Sequence, residues 1–303
     1  MWSSAGKASQ PGTRAAPTGP TASPIALAAT LACLLEASAE KVGNVTPSRG
    51  FADACFDDLV MSALALGPAI AQVEPGRVGW AVWRAVEARR AVATANTNLG
   101  IALLCAPIAA AWRSRGSGTL RRRLAGVLRG LTVNDARWAY RAIHLAKPGG
   151  LGRAEQADVS RRPAITLRQA MALAAERDSI ASEYVHDFAI IFGITLPALR
   201  DAMGRGLTVR DAIAQAHLEL LARVPDTLIA RKAGRRASEV VSAKARAVVE
   251  AGGMHTREGR AAARRLDRHL RRDGNRLNPG TSADLVAAAL FAGLLEGDGK
   301  LLR

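Results

Sequence analysis

Apolar residues recur every three or four positions along almost the whole chain, and strict two-residue alternation is rare, so the pattern predicts helices rather than strands. The stretch IALAATLACLLEASA, residues 25–39, reads as a first helix. Glu36 and Glu40 follow its short apolar run at helical spacing, which favours a domain helix over a signal-peptide core. FADACFDDLVMSALALGPAIAQV, residues 51–73, predicts a helix from about Ala52, closed or kinked at Gly67-Pro68. Further helices are expected over GWAVWRAVEARRAVA, residues 79–93, and from Asn96 to Trp112. Another starts at Thr132, a fitting N-cap, and stops at the Pro- and Gly-rich turn KPGGLG, residues 147–152. Residues 166–193 read as one long amphipathic helix with Met171, Ala174, Ala175, Asp178, Ala181 and Ser182 on one face. Thr208, Asp226, Ser238 and Thr281 each precede further helical runs. No 20- to 50-residue repeat is present, which argues against a solenoid. The reading is an all-α chain: one multi-helical domain over residues 24–303, behind a Ser-, Pro- and Gly-rich tail, residues 1–23, whose composition predicts disorder.

Composition sharpens that picture. Aromatic residues make up only 4% of the chain, so Ala, Leu, Val and Ile must do the packing, which suits close-packed helices. No apolar run approaches the length needed to span a membrane. The net charge of +16 comes mainly from arginine and invites a nucleic-acid reading. Single-strand binders add aromatic stacking platforms to their basic grooves, and none is visible here. A phosphate-rich small substrate fits the arginines at least as well. Cys33, Cys55 and Cys105 lie singly among apolar residues without zinc spacing; they read as small core residues in a reducing, cytoplasmic compartment.

Four loci break the alternation of apolar face and solvated arginine. In KVGNVTPSRGFADACFDD, a turn with Lys41, Gly43 and Asn44 precedes Asp53, Asp57 and Asp58. Asp53 and Asp57 are four apart and could share a site, or could simply be acids favoured by a helix dipole. Asn96, Thr97 and Asn98 open an apolar helix, as a nucleotide or phosphate site or as an over-specified cap. Lys147 and Arg153 bracket a glycine turn, with Glu155 and Asp158 just after it, as a phosphate wrap or a plain surface loop. NPGTSADLVAAALF places Asp284 in the first turn of a helix, which is also an ordinary helix start. Glu176 and Asp178 fall mid-helix among alanines, where an inward carboxylate needs a partner or a metal. His144, His186, His217, His255 and His269 form no metal pair and read mostly as surface or helix-end residues.

Taken in order, KVGNV, NTNLG (96–100), PGGLG (148–152) and NPGTSADL (278–285) resemble the triphosphoribosyl-dephospho-CoA synthase family. Its corresponding elements are a K-P-G turn with a following helical Asp, N-T-H-K-G, a glycine-rich R-G-E region and S-P-G-G-S-A-D-L. DTLIARKAG (226–234) is similar to the segment between the last two blocks. The resemblance covers nearly all of 24–297 and implies an all-helical enzyme. It moves the triphosphoribosyl unit of ATP to the ribose hydroxyl of 3′-dephospho-CoA and releases adenine. Carried over by position, it implies nucleotide contacts from Lys41, Asn44, Asn96, Thr97, Asn98, Lys147 and Arg153. It implies catalytic roles for Asp53, Asp135 and Glu155, and Mg²⁺ held by Asp53, Asp57 and Asp284. Departures gather in the same places. Asn98-Leu99 stands where the family has His-Lys, Thr132-Val133-Asn134-Asp135 where it has Thr-His-Gly-Glu, and Gly149–Glu155 where it has Arg-Gly-Glu. They suggest a different acceptor, with a tetrahydromethanopterin-type one-carbon cofactor as an alternative, or a nucleotide-binding protein without turnover.

Overall fold

The computed structural model describes residues 23–93, 98–114, 116–148, 159 and 161–298. Regular structure among them is helical; the only β features are two isolated bridges, Thr46–Arg49 and Phe51–Ala54. The helices are α1 (Pro24–Ser38), α2 (Phe56–Ile70), α3 (Val78–Arg90), α4 (Leu99–Arg113), α5 (Leu120–Arg129), α6 (Val133–Ala146) and α7 (Leu167–Ala172). They continue as α8 (Ser179–Val185), a π-helical turn (Ile191–Thr195), α9 (Leu196–Gly204), α10 (Val209–Arg223), α11 (Thr227–Ala233), α12 (Arg235–Glu250), α13 (Arg257–Leu270) and α14 (Gly280–Leu295). The all-α expectation holds. The 1–23 tail, apart from Ser23, lies outside the described residues, as do Asn96, Thr97, Arg153 and Glu155.

Side-chain caps mark many of the starts. Thr132 and Asp135 form a capping box on α6, and Thr166 and Gln169 another on α7. Thr119, Thr208 and Thr256 cap α5, α10 and α13. α4 and α14 are apolar on every face and almost wholly buried, as a helix at the centre of a bundle must be. They pack on each other, both rich in buried alanine, and α1 lies against α14 and α2. A second core joins Val42 to residues of α10, α11, α12 and α13, including Leu221, Ile229, Val241 and Leu270.

Several boundaries differ from the periodicity. α2 begins at Phe56, not near Ala52, because Cys55 is its N-cap and the Asp58 carboxylate reaches back to the Cys55 N–H at 2.9 Å. Cys55 is therefore exposed rather than a core residue, while Cys33 and Cys105 are buried. Pro68 does not close α2, which runs on to Ile70. The long helix expected over 166–193 is broken. Asp178 caps α8 by accepting from the Ile180 and Ala181 N–H groups, so it competes for the amides a continuous helix would use. α8 itself ends at Val185, and Asp187 and Phe188, just beyond its His186 cap, are both at positive φ. The buried Glu183 carboxylate then accepts from the Ile190 and Ile191 N–H groups, where the π-helical turn begins. Ser238 and Thr281 lie inside α12 and α14, whose caps are Gly234 and Pro279. His217 is fully buried in α10, against the surface placement expected of most histidines.

Candidate active site

Helix ends, together with inner-face residues of α1, α2 and α6, line a large cavity of about 1030 Å³. Its walls come from the end of α1, the 44–54 loop, the N-terminus of α4 and the C-terminal half of α6. The far side is α7, the 174–178 turn, α11, the 275–278 turn and the first turn of α14.

One carboxylate braces this convergence. Asp226, 1% exposed, accepts from the Leu228 and Ile229 N–H groups of its own helix α11. Its second oxygen accepts from the N–H and the hydroxyl of Ser282 in α14, at 2.7 and 2.8 Å. Thr227 donates to Thr281 at 3.3 Å and accepts from the Ser179 N–H, so α8, α11 and α14 meet in one polar knot. Burial raises the Asp226 carboxyl, and these hydrogen bonds oppose the rise.

The cavity floor is acidic. Glu36 and Asp284 both line it, beside Cys33. The Glu36 carboxylate lies 3.1 Å from Lys41 Nζ, with both side chains buried. Asp284 stands against the start of α4: a Cβ on Gly100 would meet its Oδ2 at 2.0 Å, so an alanine there would have to displace the carboxyl group. Burial raises the Asp284 carboxyl well above the usual range. The charges of Glu36, Asp226 and Asp178 add to the rise, and Arg231 opposes it. Burial also lifts the Glu36 carboxyl, against the pull of Lys41.

The rim is basic. Lys147, Arg177, Arg231 and Lys232 line the cavity. Arg231 is ion-paired with Asp178. Lys232 donates to the backbone and side-chain oxygens of Asn275 at 3.3 and 3.2 Å, and Asn275 donates in turn to Asp53. Burial lowers the Lys232 ammonium, while Asp53 pulls it up. A cationic rim over an acidic floor can hold a polyphosphate at one end and exchange protons at the other.

Of the residues singled out in the sequence, Asn44, Asp53, Asn98, Lys147 and Asp284 line this cavity together. Four placements differ. Lys41 is 1% exposed and off the cavity wall; its ammonium is taken up by Glu36 and by the Glu36 and Ala39 carbonyls, so it is not placed to meet a phosphate. Asp135 is buried beneath α3 and α6. One oxygen accepts from Thr132 and the other from the Gly79 N–H at 2.9 Å, which makes it a cap and a brace rather than a catalytic acid. Asp57 is exposed on α2 away from the cavity. Asp53 precedes α2, so the two do not share a helix face, and Asp57 is not brought to Asp53 and Asp284 as a metal ligand. Glu176 is exposed in the turn before α8, not inside a helix. No group of three His, Cys, Asp or Glu side chains among the described residues is arranged to hold a metal ion.

Glu36, Arg177, Arg231, Lys232 and Asn275 escaped the sequence reading. The signal for Glu36 was its spacing: it follows Ala32 and Cys33 by four and three residues, on the buried face of α1. Arg231 and Lys232 lie inside DTLIARKAG, where they look like ordinary last-turn cations.

The sequence profile of the ATP:dephospho-CoA triphosphoribosyl transferase family matches residues 22–301. A protein of Pseudomonas syringae pv. tomato named "Probable 2-(5''-triphosphoribosyl)-3'-dephosphocoenzyme-A synthase" is 32% identical over 111 residues, 37% of this chain and 38% of that protein. One of Klebsiella pneumoniae, named 2-(5''-triphosphoribosyl)-3'-dephosphocoenzyme-A synthase, is 32% identical over 110 residues, 36% and 39% of the two chains. These alignments thus span under two-fifths of the curated relatives' own length. A crystal structure from Archaeoglobus fulgidus, provisionally named triphosphoribosyl-dephospho-CoA synthase, superposes with a TM-score of 0.61 at 28% identity. It covers 78% of this chain and 98% of that one.

Proposed function

The chain belongs to the ATP:dephospho-CoA triphosphoribosyl transferase family, and on that premise we propose that it transfers the triphosphoribosyl group of ATP to 3′-dephospho-CoA in the cytoplasm, releasing adenine. The observation that carries the reading is the joining, in one cavity, of four cations with the buried carboxylates Glu36 and Asp284.

In this reading the triphosphate lies along Lys147, Arg177, Arg231 and Lys232, and Asn44 and Asn98 contact the nucleotide. The C1′–N9 bond breaks with its electron pair moving to the base. Asp284, kept protonated by burial and by neighbouring negative charge, supplies a proton to the leaving adenine. Glu36 takes the proton of the attacking hydroxyl, and its carboxylate, joined by that of Asp284 once the proton has passed to adenine, offsets the positive charge that develops on the ribose.

Mg²⁺ fits these residues as an ion that arrives with the nucleotide, since magnesium keeps several waters and takes only one or two carboxylates alongside phosphates. Asp53, beside Lys232 at the basic rim, is the carboxylate placed to share it. The ion supplies charge neutralisation of the triphosphate.

Incubating the protein with ATP, Mg²⁺ and dephospho-CoA and assaying adenine by mass spectrometry tests the reaction. We expect adenine and a triphosphoribosylated product, both lost on Asp284→Asn. A second reading follows from Asn98-Leu99 replacing the family's His-Lys pair. It keeps ATP as donor and takes a pterin-type one-carbon cofactor precursor as acceptor, so adenine would appear only with that acceptor.

A further inference from the structure

Asn98 is 3% exposed, lines the cavity, and has neither its Oδ1 nor its Nδ2 in a hydrogen bond. It is also the N-cap residue of α4, where an asparagine ordinarily accepts from the amides of the first turn, yet its side chain makes no such bond. Burying an amide with both ends unpartnered is unfavourable, because each end has given up water for nothing. The contrast with the other helix starts at this cavity is sharp: Asp178 caps α8, and Asp226 caps α11 while bracing α14. Asn98 makes no such cap bond, and both ends of its amide are unpartnered, whereas Asn278, before α14, lacks a partner only at its Oδ1.

The surroundings indicate what satisfies it. Leu103, Ile143, Leu167, Met171 and Ile180 line the same cavity as Asn98, so the amide shares it with apolar side chains as well as with the cations. A buried, unpartnered amide, with a donor and an acceptor side by side among apolar side chains, matches a planar heterocycle with a complementary pair on one edge. Adenine presents such a pair at its N6 amino group and N7, which an asparagine amide reads with two parallel hydrogen bonds. We propose that Asn98 is the base-reading residue of the donor site, accepting from the adenine N6 amino group through Oδ1 and donating to N7 through Nδ2. This rests on the reading of ATP as the donor. It adds specificity: guanine carries an acceptor where adenine carries the N6 donor, so the amide excludes GTP.

The test is a binding titration of the full-length protein, with Mg²⁺, against ATP, 7-deaza-ATP (no N7 acceptor), purine riboside triphosphate (no N6 amine) and 2′-deoxy-ATP. The expected result for the wild type is an affinity for ATP about ten- to a hundredfold above that for the first two analogues, with 2′-deoxy-ATP close to ATP. In Asn98→Ala all four should bind alike, at the level of the analogues, and the variant should fold because Asn98 makes no internal hydrogen bond. Equal binding of ATP and both base analogues by the wild type overturns the inference and leaves ATP as donor standing. So does a preference for ATP that survives Asn98→Ala, or a loss confined to 2′-deoxy-ATP, which would assign the amide to the ribose. Failure of the wild type to bind any triphosphate overturns this inference together with the proposed function.

Discussion

Replacing Lys41 by methionine separates a binding role from a structural one. Methionine fills nearly the volume of the lysine stem, so the change is chiefly the loss of one buried charge. In the native fold that charge lies 3.1 Å from Glu36 Oε1, with the two side chains 0% and 7% exposed, and it also donates to two backbone carbonyls at the end of α1. Removing one partner of such a pair strands the other charge, at about 3–5 kcal/mol. For a chain of this size that corresponds to a fall in Tm of roughly 5–8 °C. The loss should depend on pH. Burial already lifts the Glu36 carboxyl above its ordinary value near 4.5, and Lys41 is what holds it down. Without Lys41 it rises further, so the folded variant binds a proton that the unfolded chain has released above that ordinary value. Stability then falls as pH rises through the window between the two values. Thermal unfolding at pH 5 and pH 8 should show the variant worse at pH 8, and Lys41→Met/Glu36→Gln should recover most of the loss. A Tm within about 2 °C of wild type at pH 8, combined with a large drop in ATP affinity, would refute the argument and return Lys41 to the phosphate.

Three further outcomes are expected. Gly100→Ala forces a Cβ against Asp284 Oδ2 and the Ile180 side chain; it should cost about 1–3 kcal/mol in a urea titration, and an unchanged midpoint would count against the close approach of α4 and α14. Glu183, its carboxyl pushed up to about 7 by burial, binds a proton in the folded state that the unfolded chain releases near 4.5. Its contribution is therefore fully present below pH 4.5 and fades as pH rises through 7, by roughly 3 kcal/mol; Glu183→Gln should flatten that part of the stability–pH curve, and parallel curves would exclude the effect. Arg231→Met should weaken ATP binding about tenfold or more, as loss of a charged hydrogen bond does, while Tm moves little because the Arg231–Asp178 pair is partly exposed. A large fall in Tm with unaltered ATP affinity would make Arg231 a structural residue.

Helical periodicity and capping chemistry made most of the architecture legible. Thr132, Thr208 and Asp226 cap the helices that follow them, and the interrupted polarity at Asn98, Asp284 and Lys147 marked cavity residues. Periodicity failed where a local side chain outbid the helix. Asp58 reaches back to Cys55 and moves the start of α2, and Asp178 takes two amides that a continuous helix would need. The acid–cation layout was hidden for another reason. Glu36 meets Asp284 across the bundle, and Asp53 meets Asn275 across 222 positions of chain, so these partnerships leave no local trace. Asp135 looked catalytic by motif position, yet the Gly79 N–H it satisfies is 56 positions away.

The position of α14 in the chain has a bearing on how the protein is made. It is the last helix among the described residues, it is buried on all sides, and it supplies the Asp284 and Thr281 wall of the cavity. Chains emerge from the ribosome N-terminus first, at about 5–20 residues per second. For the time needed to add the segment after α10, α1, α4 and α10 are left with a vacant seam lined by alanine and leucine where α14 will dock. A chain stalled or clipped before Gly280 would keep that sticky seam open and have no complete nucleotide site. Docking of α14 therefore closes that seam and completes the Asp284 and Thr281 wall of the cavity in one step.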